Sequence, residues 1–252
     1  MIKTEGLCFS YGKKLILDHL DLNISKGEFI SIIGANGSGK TTLMNCISGL
    51  NENYDGQIYY QDKALSQYTT HERSKQFAYI AQNKKINFPF TCFEVVAMGR
   101  HPYKNRLSTV SIQDTEMVTQ AMNLTDTYQF ADELITEISG GEFQRVIFAR
   151  TLVQQPNIIF LDEAFSSMDI SHSVNALKIL KEIVMKEEKT VIAVMHDINL
   201  AYRFSDKVCM LKKGKIVDFG RPDEIVDVKS IKYTFNIDVE KVDEFGFFIK
   251  AT

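Results

Sequence analysis

Apolar and polar positions alternate along the first thirty residues of the chain. The alternation runs through LCFSY (7–11) and LILDHLDLNI (15–24), and it predicts an antiparallel β region, because successive side chains of a strand point to opposite faces. The polar turn SKGE follows, and the apolar run FISII (29–33) then predicts a buried strand. The chain is therefore expected to begin with β structure.

GANGSGKTTLMNCISGL (34–50) is predicted to form a loop and a helix, and YDGQIYY (54–60) and AYIAQ (78–82) are predicted strands. After these segments the pattern changes from strand spacing to helical spacing. From about residue 84, the segments FEVVAMGR, IQDTEMVTQAMNL and TYQFA have helical spacing and little strand signal. A further helix is predicted over 139–153, with Ser139 as its N-cap. We therefore expect an inserted helical subdomain at approximately 84–156.

Strands and helices alternate in the second half of the chain. The apolar strand IIFLDE (158–163) precedes a helix through VNALKILKEIVMKEE (174–188), and the strands TVIAVMHD (190–197) and KVCMLKKG (207–214) follow. This order predicts a mostly parallel sheet flanked by helices, an α/β fold. Residues 221–252 are expected to form a small mixed appendage, so that 1–252 is one domain with an insertion.

Composition narrows the function classes. The chain has 252 residues and a formal net charge of −3, which provides no basic field for nucleic acid or anionic lipid. The four cysteines lie far apart, which disfavours a disulfide or cysteine metal framework and favours a reducing compartment. No apolar run reaches the roughly 18 residues of a membrane span, so a membrane function would need a membrane-embedded partner.

GANGSGKT (34–41) has the G-x-x-x-x-G-K-[ST] pattern between a predicted strand and a predicted helix. Bare backbone N–H groups and a helix N-terminus suit phosphate, Lys40 would reach the β/γ-phosphates, and Thr41 would ligate Mg²⁺. The residues predicted to contact nucleotide in this segment are Gly34, Asn36, Gly37, Ser38, Gly39, Lys40, Thr41 and Thr42. A chance glycine-rich turn is disfavoured by the flanking strand and helix.

The strand IIFLDE ends in two carboxylates. A carboxylate at the end of an apolar strand can hold the magnesium ion that accompanies nucleotide phosphates, and this role is predicted for Asp162. Glu163 is next in the chain and is placed to polarise a water molecule.

ISGGE (138–142) resembles the LSGGQ-type signature of the ATP-binding subunits of ABC transporters, and it precedes IIFLDE at the family's usual distance. The resemblance extends over nearly the whole chain. It implies a P-loop NTPase core with an N-terminal antiparallel β region and an inserted helical subdomain, with ATP and Mg²⁺ as cofactors. It also implies a head-to-tail dimer of two copies of the chain, in which Ser139, Gly140 and Gly141 contact the ATP of the partner copy.

The resemblance implies five further roles. Tyr11 matches the aromatic residue that stacks on adenine, and Gln82 matches the glutamine that contacts Mg²⁺ and the attacking water. Asp169 matches the aspartate that communicates across the dimer, His196 the histidine at the γ-phosphate, and Glu163 the general base. The chain departs from the family's pattern at Ile138 and Phe143, and also at Ala164 and Phe165, where Pro-Thr is usual.

FTCFEVVAMGRHPYKN (90–105), MDISH (168–172) and the tail GRPDEIV…YTFNIDVEKV resemble the ATPases of ferric siderophore, haem and vitamin B12 importers. This resemblance implies iron-chelate or cobalamin uptake, a membrane permease docked by the helical insertion, and indirectly an extracytoplasmic substrate-binding protein. The chain would then lie at the cytoplasmic face of the membrane and bind no nucleic acid. A zinc or manganese importer ATPase is the alternative, because those proteins share a similar V-x-M-G-R stretch. A soluble ABC ATPase acting on ribosomes or nucleic acid is disfavoured by the charge.

Overall fold

The computed structural model describes residues 1–82, 86–104, 111–242 and 246–249. They form two compact units. Unit 1 comprises Met1–Thr69 and Lys181–Thr252, and unit 2 comprises Thr70–Leu180. None of the helices within the described residues is long and apolar enough to cross a membrane.

The regular elements are numbered in chain order. The strands are β1 (Ile2–Tyr11), β2 (Lys14–Ile24), β3 (Phe29–Ile33), β4 (Asp55–Tyr60), β5 (Lys63–Ala64), β6 (Phe77–Ile80), β7 (Ile158–Asp162), β8 (Thr190–Val194), β9 (Lys207–Lys212), β10 (Lys215–Gly220), β11 (Val239–Val242) and β12 (Gly246–Ile249). The helices are α1 (Lys40–Ile47), α2 (Thr70–Gln76), α3 (Cys92–Ala97), α4 (Ile112–Leu124), α5 (Gly140–Val153), α6 (Ile170–Glu187), α7 (Ile198–Phe204), α8 (Pro222–Ile225) and α9 (Val228–Phe235).

The antiparallel region predicted at the N-terminus is confirmed in unit 1. It is a sheet in the order β2-β1-β4-β5, with β1 antiparallel to both β2 and β4. Leu7, Leu17 and Leu20 are buried on its inner face. Thr4 is also buried, and its hydroxyl donates to Leu20 O at 2.8 Å and accepts from Leu22 N at 2.9 Å, so this polar group is satisfied.

The parallel strands of unit 1 are β3, β8 and β9. Strand β3 pairs in parallel with β8 on one side and β9 on the other, and the hairpin partner β10 is antiparallel to β9. Every residue of β3 and β8 is buried, which is the pattern of a parallel strand covered on both faces. The predicted phosphate loop therefore begins at the carboxyl end of a buried parallel strand.

In unit 2, β6 and β7 form a parallel pair that aligns Phe77 with Ile158. Helices α3, α4 and α5 pack together near it, with Val95, Val118 and Val146 buried. The helix predicted over 139–153 is confirmed as α5 with Ser139 as its N-cap. Residues 84 and 85, at the predicted start of the insertion, lie outside the described residues.

The predicted helical segments differ from the observed ones in extent. TYQFA (127–131) forms only a short 3₁₀ helix at Tyr128–Phe130. The helix predicted through VNALKILKEIVMKEE is confirmed as α6, which begins four positions earlier at Ile170, since the carboxylate of Asp169 accepts from the backbone N–H of His172 as an N-cap side chain does.

The appendage of unit 1 contains α8, α9 and the antiparallel hairpin β11–β12. Asn199 on α7 holds this hairpin through two hydrogen bonds. Its Oδ1 accepts from Phe247 N at 2.7 Å and its Nδ2 donates to Phe247 O at 3.1 Å. The ring of Tyr202 packs edge-on against Phe247 with centroids 5.8 Å apart. The hairpin is thus attached three residues beyond His196.

Replacing Asn199 with Asp tests this attachment. The substitution keeps the acceptor for Phe247 N and places a carboxylate oxygen against Phe247 O, so we expect a loss of about 1–3 kcal/mol in the free energy of unfolding. Denaturant unfolding measures the loss, and hydrogen exchange of β12 amides locates it. Asn123→Ala, on the exposed face of α4, is the matched control. An unchanged β12 exchange rate in Asn199→Asp would contradict the assignment.

Candidate functional site

The phosphate loop runs from the end of β3 to the start of α1 in unit 1. A side chain on Gly34 would not fit, since a Cβ there would lie 2.2 Å from Leu211 O. Gly37 and Gly39 have φ of 74° and 106°, values that glycine adopts without strain. A Cβ at Gly37 would meet nothing within 4 Å, so the loop presents bare backbone on its outer side.

The side chains of this loop suit an anion. Lys40 is buried, and its Nζ donates to Gly34 O at 2.9 Å and Ala35 O at 3.2 Å. Gly39, the N-cap residue of α1, has no side chain with which to cap the helix. The buried hydroxyl of Ser38 has no hydrogen-bond partner among the described residues. An uncapped helix N-terminus, an ammonium group and an unsatisfied hydroxyl together fit a bound phosphate.

The other predicted nucleotide contacts of unit 1 are Asn36, Thr41, Thr42, Tyr11 and His196. Asn36 and Thr41 are exposed, and Thr42 is buried on α1. Tyr11 ends β1 with 56% of its surface exposed, and its ring meets Phe9 edge-on at 4.9 Å. His196 is exposed just beyond β8, where Asp197 caps α7. Tyr11 and His196 are thus accessible at strand ends.

Unit 2 brings together three of the predicted residues at the end of β7. Asp162 is buried, and its Oδ2 accepts from the hydroxyl of Tyr79 at 3.2 Å. Burial, and secondly the charge of Asp162, raise the pKa of Tyr79, so this hydroxyl stays protonated and donates. Gln82 Nε2 donates to Glu163 Oε2. A carboxylate fixed by a phenol and a second carboxylate held by an amide therefore stand side by side.

The backbone of Glu163 is unusual. Its φ is 52°, in the left-handed region that non-glycine residues seldom occupy. Ser166 N donates to Glu163 O at 3.2 Å, which closes a tight turn directly after the strand. Strain of this kind costs on the order of 1–3 kcal/mol and is concentrated at functional sites.

The glycines of ISGGE open helix α5. Ser139 Oγ accepts from Glu142 N at 3.4 Å, and Glu142 Oε2 accepts from Ser139 N at 2.7 Å, which forms a capping box. A Cβ at Gly140 would meet nothing within 4 Å, and one at Gly141 would lie 3.5 Å from Ser167 O. The outer side of this helix start is therefore bare and open to an approaching group.

Hydrogen bonds at the start of α6 lower the pKa of Asp169. The backbone N–H of His172, followed by the His172 ring and the Ser171 hydroxyl, lowers the pKa of Asp169 far below its usual range. The three contacts measure 2.9, 2.7 and 2.8 Å. Asp169 is therefore ionised at neutral pH, although 63% of its side chain remains exposed.

The comparisons with known proteins agree on one family. The family model described as "ABC transporter" matches residues 17–166. The petrobactin import ATP-binding protein FpuD of Bacillus anthracis is 34% identical over 95% of this chain and 88% of its own length. The haemin import ATP-binding protein HmuV of Escherichia coli O157:H7 is 33% identical over 95% and 93%. The chain belongs to the ABC transporter family.

Solved structures agree with this assignment. A dimer of the ATP-binding cassette MJ0796 in a post-hydrolysis state, bound to ADP and Pi, superposes with a TM-score of 0.77 at 28% identity, covering 88% of this chain and 99% of that one. A structure described as an inward-facing metal-chelate type ABC transporter shares the fold, with a TM-score of 0.83 at 22% identity over 100% and 98% of the chains. The α/β fold predicted from the sequence is confirmed, and the chain carries the ATPase domain of the ABC family.

The residues at which the chain departs from the family's sequence pattern pack against neighbouring side chains of unit 2. Ala164 is buried, and the ring of Phe165 packs edge-on against Phe148 of α5 with centroids 5.4 Å apart. Ser173 Oγ donates to Phe165 O at 3.2 Å. Phe143 lines a cavity of about 580 Å³ together with other apolar side chains. An aromatic contact thus holds the loop after Glu163 in this ABC protein, at the position where Pro-Thr is usual.

Sequence reasoning missed Tyr79 and His172, which contact Asp162 and Asp169. A signal for Tyr79 was present, since it lies in the strand AYIAQ three residues before Gln82, but a strand tyrosine by itself has no functional meaning. His172 lies three residues after Asp169, one helical turn along the chain. Both were overlooked because each acts through a partner residue and lacks a motif of its own.

One group of metal-ligand residue types lies close together elsewhere in the described part of this ABC protein. The ligand atoms of Cys8, Asp18 and His19 lie within 4.8 Å of one another. Asp18 uses one oxygen for His19 Nδ1 at 2.7 Å and the other for Lys215 at 3.0 Å, so both oxygens are engaged. A thiol and an imidazole do not suit magnesium, and this group is separate from the predicted ligands Thr41, Gln82 and Asp162.

The capping box at α5 predicts a pH-dependent contribution to stability. The hydroxyl of Ser139, followed by its backbone N–H, lowers the pKa of Glu142. The stabilisation is therefore present above the carboxyl's unfolded pKa and is lost as the pH falls through its folded pKa. We expect Ser139→Ala to raise the pKa of Glu142 partway to its ordinary value and to cost about 0.5–2 kcal/mol at neutral pH, with a smaller difference in acid.

Carboxyl NMR titration and denaturant unfolding at two pH values measure these effects. Ser111→Ala is the matched control, because Ser111 and Asp114 form the equivalent capping box on α4. A pKa of Glu142 that is unchanged in Ser139→Ala would show that the hydroxyl does not act on it.

Proposed function

We propose that this chain is the ATP-hydrolysing subunit of an ABC importer for a metal chelate, namely a ferric siderophore, haem or vitamin B12. One observation carries the transport assignment. The similarity to proteins named as petrobactin, haemin and cobalamin import ATP-binding proteins extends over 93–95% of this chain at 33–34% identity. The site geometry supports the chemistry that such a subunit would perform.

In this proposal the phosphate loop binds ATP. The backbone N–H groups around Gly37 and the start of α1 contact the phosphates, Lys40 exchanges the carbonyls of Gly34 and Ala35 for the β/γ-phosphates, and Tyr11 stacks on adenine. Thr41, Gln82 and Asp162 are hard oxygen ligands of the kind that Mg²⁺ prefers, and the buried carboxylate of Asp162 fits a cation. The magnesium ion would neutralise charge on the phosphates when bound.

Glu163 acts as the general base. Its carboxylate accepts a proton from water as the water oxygen bonds to the γ-phosphorus, while the bond from that phosphorus to the ADP oxygen breaks. Gln82 donates to Glu163 Oε2 and so orients the carboxylate. The left-handed backbone at Glu163 turns the chain sharply directly after β7. His196 contacts the γ-phosphate.

The signature residues act on a second copy of the chain. Ser139, Gly140 and Gly141 present a hydroxyl and bare backbone at the N-terminus of α5, which suits the γ-phosphate held by the partner copy. Asp169 is ionised and exposed, as a residue that contacts the partner across a head-to-tail dimer must be. Each charge-assisted hydrogen bond of this kind contributes about 1.5–3 kcal/mol, so ATP would hold the dimer together and hydrolysis would release it.

The helical subdomain at approximately 84–156 docks the permease at the cytoplasmic face of the membrane, where the chain is peripheral. Phe88 and Phe90 of unit 2 expose apolar rings, and Phe143 lines a cavity in the same unit whose walls are partly apolar and partly polar. Exposed apolar surface of this kind marks interaction sites. The transported chelate contacts the permease and an extracytoplasmic binding protein, so this chain couples ATP to transport without touching the chelate.

Glu163→Gln tests the chemical assignment. Glutamine keeps the shape of the side chain and cannot take the proton, so we expect ATP to bind normally, turnover to fall by about 10²–10⁴-fold and an ATP-bound dimer to accumulate. Phosphate release and size-exclusion chromatography with ATP measure these effects. Turnover within a few-fold of the original chain would remove Glu163 from the role of base.

Lys40→Ala is the contrasting variant. It removes the ammonium group from the phosphate loop, so nucleotide affinity itself should fall, which equilibrium binding of a fluorescent ATP analogue would show. Unchanged affinity in this variant would contradict the assignment of the loop.

Copurification tests the transport assignment. We expect the tagged chain, extracted with native membranes in mild detergent, to bring down a multi-span permease in stoichiometric amount. Uptake assays with siderophore, haem, cobalamin, zinc and manganese then separate chelate import from the zinc or manganese alternative. Ribosomal or DNA-bound proteins in place of a permease would leave the ATPase chemistry intact and overturn the transport function.

A further inference from the structure

Four charged or polar side chains of unit 2 form a chain of contacts that the proposed function does not use. Asp126 lies just beyond the end of α4, Arg145 on α5, and His172 near the start of α6. Arg145 Nη1 contacts Asp126 Oδ2 at 3.1 Å and His172 Nε2 at 3.2 Å. His172 Nδ1 in turn contacts Asp169 Oδ2 at 2.7 Å.

The neighbouring donors and acceptors indicate which nitrogen of the His172 ring accepts a hydrogen bond and which one donates. A guanidinium group only donates, so Nε2 must be the acceptor for Arg145. Nδ1 must then carry the hydrogen that is donated to Asp169. In the tautomer with the hydrogen on Nδ1, the ring accepts from Arg145 and donates to Asp169 at the same time, and so connects the two groups.

Along this series of contacts, the side chain of Arg145 is less exposed to solvent than that of Asp169. The side chain of Arg145 is 12% exposed and that of His172 is 35% exposed, whereas 63% of Asp169 is open to solvent. Arg145 also donates to Asp126 O at 2.9 Å and lies over the ring of Phe130 at 5.7 Å. Asp169 is thus an exposed carboxylate connected through His172 to a fixed cation on α5.

Two further contacts connect α5 to the same loop. Gln144 Oε1 accepts from Ser167 N at 3.2 Å, and Phe148 packs against Phe165. The side chains at 144, 145 and 148 therefore all face the segment that runs from Glu163 to His172. Helix α5 begins at Gly140, so the signature glycines and Asp169 are joined through the body of a single helix.

We propose that His172 is a positioning residue that ties Asp169 to helix α5, so that Asp169 and the signature residues Ser139, Gly140 and Gly141 meet the partner copy as one rigid edge. This inference rests on the proposed ATP-driven dimer. Without the tie, Asp169 would still cap α6 through the backbone N–H of His172, but its orientation relative to the signature would vary. Forming the dimer would then include the entropic cost of ordering it.

The test measures ATP-driven dimerisation in the Glu163→Gln background by analytical ultracentrifugation. We expect His172→Ala to raise the ATP concentration that gives half-maximal dimer by about tenfold, the effect of losing one charge-assisted hydrogen bond. Binding of the fluorescent ATP analogue to the dilute monomer should not change. A fold defect would alter both measurements, and His71→Ala, on the exposed surface of α2, is the control histidine.

Two conservative variants separate the contact of His172 with Asp169 from its contact with Arg145. His172→Asn keeps a donor near the Nδ1 position, and His172→Gln keeps an acceptor near the Nε2 position, so each should recover only part of the loss. The effects of Arg145→Gln and His172→Ala should also be less than multiplicative when combined, because both break the same connection.

The results separate a failure of the proposed ATP-driven dimer from a failure of the positioning role of His172. If Glu163→Gln itself gives no ATP-dependent dimer, the proposed function fails first. If it dimerises and His172→Ala dimerises at the same ATP concentration, the positioning role is wrong. Full recovery by either conservative variant, or fully multiplicative effects with Arg145→Gln, would also overturn it.

Discussion

The arrangement of this protein depends on strands that are buried on both faces. Every residue of β3, β7 and β8 is buried, so a polar side chain within these strands needs a partner inside the protein, as Ser31 has in the hydroxyl of Ser205 at 2.6 Å. Polar side chains and bare backbone that a ligand can reach lie where the strands end. The phosphate loop follows β3, Asp162 and Glu163 stand at the end of β7, and His196 lies just beyond β8. The same burial that stabilises the two units thus also places the chemistry at strand ends.

Helix α5 has a second organising role within unit 2. Its N-terminus carries the signature glycines, and its next turns contact the loop that follows Glu163. Phe148 supports Phe165, Gln144 holds Ser167, and Arg145 reaches Asp169 through His172. The aromatic contact explains how the loop is held where the family usually has Pro-Thr. A single helix therefore contacts the segment that follows Glu163 at three positions.

The sequence predictions were accurate where burial repeats along an element, and less accurate where a single residue determines where an element begins or ends. Periodicity over long segments predicted the N-terminal antiparallel sheet and α5, since burial repeats at the spacing of the element itself. The same reasoning did not give the extent of the helical segments at TYQFA and at the start of α6. At α6 the start depends on one carboxylate that accepts from the backbone. Effects of this kind involve single residues and leave no periodic trace.

The sequence by itself determined which chemical groups are present and the order in which they occur. Residue type and spacing indicate the chemistry of GANGSGKT, ISGGE and IIFLDE. A loop that binds a phosphate needs bare backbone, and a strand end that binds a cation needs acidic side chains. Only the tertiary structure decided which side chains support them. Tyr79 meets Asp162 across a strand pair, and Arg145 meets His172 between two helices. Contacts between elements depend on packing, which brings together residues that no local pattern connects.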